Sequence, residues 1–181
     1  MEICEWYNLM RKEWTILDNN LYRNNKVFKG EKIVPIMKEI LDKGGECKLV
    51  VTGNSMFPTL KNKESSVILT SLNKRKVKKG EIVFIQRDSG EYILHRVYKI
   101  IDNNKFIMNG DAQEWVEVVR FDQVIGVVKT ILHNNNDDKD KEIYCDDSIY
   151  KLKILLWMKC RKFRRNIFKG YSLLKKIANL N

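Results

Sequence analysis

After Asp147 the 181-residue chain contains no acidic residue. Long apolar runs are missing too. The longest unbroken one, Ile154 to Met158, falls far short of the ~20 residues that a membrane-spanning helix needs. The first residues, Met1-Glu2-Ile3-Cys4-Glu5, lack the basic-then-apolar order of a secretory signal. These absences lead to the expectation of a cytoplasmic protein, at most peripheral at the inner face of a membrane. Four cysteines, Cys4, Cys47, Cys145 and Cys160, lie far apart without Cys-x-x-Cys spacing, and only two histidines exist to join them. Free thiols are therefore expected, with no metal and no cofactor.

What is present is unevenly charged. Lys and Arg number 34 against 23 Asp and Glu, a formal charge of +11, and ten of those cations follow Asp147. An argument from basicity therefore concerns the end of the chain. The length suits one compact core with appendages. Residues 1–46 read as an N-terminal helical segment, with an apolar face of Tyr7, Met10, Trp14, Leu17 and Leu21 and a second short helix from Glu31 to Leu41. Residues 47–133 turn to short β-rich runs: 48–52, 66–70, 81–86, 91–101, 105–108 and 123–132. Asp88-Ser89-Gly90 and Asp102-Asn103-Asn104 are hairpin signals between them. Residues 134–147 read as a polar linker. In 148–181, Ile149, Leu152, Leu156, Cys160, Phe163, Ile167, Tyr171, Leu174 and Ala178 recur at helical steps, so this is a basic amphipathic helix pair broken at Gly170. The fold class is α+β, with a mostly antiparallel twisted sheet at its centre.

The chemistry-bearing stretch is Val50-Val51-Thr52-Gly53-Asn54-Ser55-Met56-Phe57-Pro58-Thr59-Leu60. An apolar strand runs into a Gly-Asn corner, which tolerates backbone angles closed to most residues. Such an elbow presents the Ser55 hydroxyl, and on these residues alone it would be an ordinary turn-forming serine. Downstream stand Ile93-Leu94-His95-Arg96-Val97 on an alternating strand and Asn109-Gly110-Asp111 at the end of the next. Serine, histidine and carboxylate are then all available.

Ser55-Met56-Phe57-Pro58, Lys79-Gly80-Glu81-Ile82-Val83, His95-Arg96-Val97, Gly110-Asp111 and Val124-Ile125-Gly126 together resemble the signal peptidase I family, in the branch that pairs the serine of a Ser-Met-x-Pro box with histidine. The likeness covers about 48–132. It implies a sheet core of the type shared with self-cleaving repressors, and a serine endopeptidase acting on a leader or signal-like peptide. Ser55 would be the nucleophile and His95 the general base. For the orienting acid the resemblance offers Asp111, and Glu117 six residues later; Asp111 is favoured. The oxyanion hole would use the Ser55 N–H and Asn54, because Gly53 stands where the family often has a hydroxyl. Met56 and Pro58 would line a shallow substrate pocket. His133 receives no role.

The family is usually held in the bilayer by an N-terminal helix, and no such helix can be built here. Substrates are then soluble leader-bearing peptides or proteins. Trp157, Phe163, Phe168 and Tyr171, interleaved with cations, favour an anionic membrane surface as partner of 148–181; docking on the core or on a partner comes second, and nucleic acid is the least favoured. Two other classes compete with the peptidase. A self-cleaving repressor would need a lysine base and an N-terminal helix-turn-helix, and a non-catalytic docking protein would not need Ser55 and His95.

Overall fold

The computed structural model describes residues 30–72, 75–134 and 141–178. The chain divides into two units, 1–36 and 37–181, and the helix expected near the N-terminus lies outside the described residues. Helix α1 (Gly30–Asp42) buries Met37 and Leu41, one turn apart, and closes where the N–H groups of Gly44 and Gly45 donate to the Leu41 and Ile40 carbonyls.

Among the described residues eight strands follow: β1 (Glu46–Val50), β2 (Ser65–Thr70), β3 (Ile82–Gln86), β4 (Tyr92–Ile100), β5 (Lys105–Asn109), β6 (Glu117–Arg120), β7 (Val124–His133) and β8 (Lys141–Tyr144). They form one antiparallel sheet in the order β1-β2-β7-β3-β4-β5-β6, with β8 also paired to β7. The architecture is thus α+β around an antiparallel sheet. Strand β7 is its spine. It pairs with β2 from Val127 to His133, with β3 from Val124 to Val127, and with β8 from Thr130 to His133.

Alternation along the strands builds the core. Val83 and Ile85 of β3, Phe106 and Met108 of β5, Val97, Val119 and Val127 are all buried together. Each such side chain is worth about 1.5–3 kcal/mol when fully removed from water. His95 lies opposite Val83 in the register, so its ring shares the face of that residue. Arg96, the next residue, points the other way.

The C-terminal residues differ from expectation in three respects. Residues 141–144, inside the segment read as a linker, form strand β8. The break between the two C-terminal helices is a short 3-10 turn, Cys160–Phe163, joining α2 (Ser148–Lys159) to α3 (Arg164–Ala178), while Gly170 lies within α3. Most important, the apolar stripe through Ile149, Leu152 and Phe163 is exposed. Ile154, Met158 and Arg164 are buried instead; Ile154 approaches Gly80, and Arg164 bonds the loop after β5. No helix among the described residues is long and apolar enough to cross a membrane.

Candidate active site

Beyond β1 the chain passes through Val51 into the corner at Gly53, whose φ of +88° lies in the region that strains any side-chain-bearing residue. Asn62 holds this corner by accepting from the Gly53 N–H at 2.9 Å, and the Phe57 N–H donates to the Asn54 carbonyl at 3.1 Å. Met56 and Leu60 then turn inward and are buried. Ser55 is left half-buried at the top of the turn, and among the described residues no protein group accepts from its N–H. Met56 is an interior anchor of the elbow. Pro58 is exposed, and neither residue lines the roughly 570 Å³ cavity bounded by Gln113, Trp115, Arg165 and Phe168.

The loop after β5 reaches both candidate catalytic residues. The Ala112 N–H donates to the Ser55 carbonyl at 2.8 Å, and the Trp115 ring meets His95 edge-on at 5.9 Å. Gly110 is required at the first of these contacts, because a Cβ there would lie 2.6 Å from the Ser55 carbonyl oxygen. Asn109 draws the loop together by donating to the Gln113 and Trp115 carbonyls.

His95 is only 3 % exposed, and its Nδ1 has no hydrogen-bond partner among the described residues. Burial, seconded by the positive charge of Arg87, pushes its pKa down to about 4 against the opposing pull of Glu117 and Asp111. At neutral pH the ring is uncharged and able to accept a proton. No hydrogen bond joins it to Ser55 Oγ among the described residues.

Neither expected acid bonds the imidazole. Asp111 is fully buried and accepts from Arg96 Nε at 2.8 Å, Arg96 Nη2 at 2.6 Å and Thr59 Oγ1 at 2.6 Å. Its carboxylate is committed to the residue that points away from His95. Burial works against the Arg96 charge, yet Asp111 outweighs it and the Arg96 pKa is raised. Glu117 in turn accepts from Arg87 Nε at 2.8 Å and Nη2 at 2.5 Å. His133 shares a 2.8 Å hydrogen bond with Ser65 Oγ, tying β7 to β2.

The residues missed from the sequence come from the C-terminal helices. Trp157 Nε1 donates to the Asp111 carbonyl at 3.1 Å, and Tyr150 meets Arg96 at 3.3 Å. Arg164 Nη1 donates to Asn109 Oδ1 at 2.5 Å and to the Gly110 and Gln113 carbonyls at 2.8 Å each. Phe168 and Tyr171 pack against Phe57, in the serine turn itself. A signal for them exists: Tyr150, Ile154, Trp157, Arg161, Arg164 and Phe168 fall at three- and four-residue steps, a second helical stripe beside the apolar one.

A family model described as Peptidase S24-like matches residues 21–138, which takes in the whole sheet through β7, the serine turn and the loop after β5. The chain belongs to the Peptidase S24-like family. Its fold is accordingly of the serine-peptidase type, in a family that takes in both signal-peptidase-like proteases and self-cleaving repressors. Helices α2 and α3 lie beyond the matched Peptidase S24-like segment, although they hold its loop. No curated protein matches the chain.

Proposed function

We propose that this Peptidase S24-like protein is a serine endopeptidase of the signal-peptidase-like kind, cleaving a leader or signal-like segment presented by another chain. Ser55 Oγ attacks the scissile carbonyl as His95 takes its proton. The Ser55 N–H stabilises the oxyanion, with Asn54 beside it, and His95 returns the proton to the leaving amine. Water then hydrolyses the acyl-serine by the same route in reverse order. The observation that carries the reading is the loop 110–115, which is bonded to the Ser55 backbone at one end and packed on the His95 ring at the other. Catalytic hydrogen bonds commonly tighten only once substrate is bound, so a serine and histidine not yet in contact are compatible with this role.

In this mechanism Asp111 acts through Arg96, as a positioning residue for the loop, and Glu117 acts on His95 only through its charge. The site works as a Ser/His dyad. A histidine at position 95, where self-cleaving repressors are expected to carry lysine, favours substrate cleavage in trans.

The test is cleavage of leader-type peptides by the full chain and by Ser55→Ala and His95→Ala. Each substitution is expected to abolish cleavage while circular dichroism stays unchanged. Near wild-type turnover in either variant, or cutting confined to the protein's own chain, would overturn the proposal.

A further inference from the structure

We infer that the outward face of the C-terminal helices docks on an anionic lipid surface and holds the protein there lying flat. This inference is independent of Ser55 chemistry and needs only the arrangement of α2 and α3. At about 100° per residue, Ile149, Leu152, Leu155 and Leu156 fall within one arc of α2. Tyr150, Ile154, Trp157 and Met158 occupy the opposite arc, which contacts the body of the protein. The helix is therefore apolar on two sides, one used internally and one not.

The unused arc continues through Phe163 and Ile167, and these six side chains are 41 % to 65 % exposed. Isolated exposed apolar residues are ordinary, but four on one arc of α2, with two more on the turn and helix that follow, mark a contact surface. Lys151 and Lys153 flank it on both margins, with Lys159 and Lys162 toward its far end. None of the four forms an ion pair among the described residues.

Charge selects the occupant. No acid follows Asp147, so within α2 and α3 every charged side chain beside the stripe is a cation. A second copy would bring ten like charges against ten, which disfavours self-association. The N-terminal residues 1–29 carry Glu2, Glu5, Glu13 and Asp18 against Arg11, Lys12, Arg23, Lys26 and Lys29, so they offer the cations no net negative partner. Nucleic acid would satisfy the lysines but leave leucine, isoleucine and phenylalanine exposed. An anionic bilayer interface meets both needs, since apolar side chains enter the acyl boundary while lysines reach the headgroups. Because the opposite arc binds Arg96 and the Asp111 carbonyl, docking this stripe also holds the serine turn close to the lipid surface.

Full-length protein is expected to sediment with phosphatidylglycerol/phosphatidylcholine vesicles at low salt, and not with phosphatidylcholine alone. Raising the salt, or introducing Leu152→Glu with Leu156→Glu, should each lower partitioning about tenfold or more, since both the apolar and the ionic contributions are needed. Those leucines point away from the protein body, so the melting curve should hold, and the salt titration of unaltered protein stands on its own if it does not. Absence of sedimentation by folded protein at low salt overturns the inference. So does unchanged binding in a folded double variant. If the same substitutions convert an oligomer to a monomer in ultracentrifugation, the stripe faces a second copy. If instead a DNA duplex is bound, and that binding survives the leucine changes but not Lys151→Glu with Lys153→Glu, the cations serve phosphates and the lipid assignment fails.

Discussion

At the residue scale the site depends on one close approach and one buried charge pair. Gly110 admits the Ser55 carbonyl at a distance no Cβ could share, and that obstacle is backbone rather than a flexible side chain. Gly110→Ala must therefore move either the loop or the serine turn. Since a displacement of about 1 Å can cost on the order of 100-fold in rate, kcat/KM for a leader-type peptide should fall by about that factor while the protein stays folded. Unimpaired kcat/KM in a folded Gly110→Ala variant would remove the loop from the mechanism. Asp111 is a different case. Both members of the Arg96–Asp111 pair are at most 2 % exposed in their side chains, and removing one partner strands the other's charge away from water. Asp111→Asn should destabilise the protein by about 3–5 kcal/mol, visible as a large loss in chemical denaturation. A stable but inactive Asp111→Asn protein would instead return Asp111 to direct work on His95.

At the element scale, α2 and α3 act as a strap across the loop that joins the two candidate catalytic residues. Arg164 holds three acceptors of that loop through one nitrogen, at a position where burial lowers its pKa and where, among the described residues, no carboxylate bonds it. Arg164→Met keeps the length and apolar stem but leaves three acceptors unpartnered, each worth about 1–3 kcal/mol if it stays dry. Stability should drop, and peptidase activity should drop further than Leu156→Glu on the opposite face would cause. Equal effects from the two substitutions would mean the strap does not position the site. The same docking bears on the whole basic end of the chain. Trp157 and Arg164 make it part of the site's support.

At the scale of the whole molecule, His95 couples stability to pH. Its folded pKa is held near 4 by burial, below the ~6.5 of an exposed histidine, so between those values the unfolded chain binds a proton that the folded one refuses. Stability is then fullest above about pH 6.5 and declines toward pH 4, by on the order of 3 kcal/mol from this one group. His95→Gln should flatten that part of the denaturation-versus-pH curve, and an unchanged slope would show that the imbalance lies elsewhere. The sequence was sufficient for the α+β class, six of the eight strands and the serine turn, because alternation, hairpin residues and a Gly-Asn corner before proline are local signals. Strand β6 is a four-residue edge with half its residues exposed, and β8 lies in a stretch whose polarity reads as linker, so only pairing with β5 and β7 makes them strands. The partners of the two acids were equally out of reach, since Asp111 and Glu117 are chosen by arginines distant in sequence, Arg96 on β4 and Arg87 in the turn after β3. In α2, periodicity finds apolar residues on two sides of one helix and cannot say which turns inward. That was decided by Arg96, Asn109 and the loop carbonyls, polar groups whose burial demanded partners that only the stripe with Tyr150, Trp157 and Arg164 could supply.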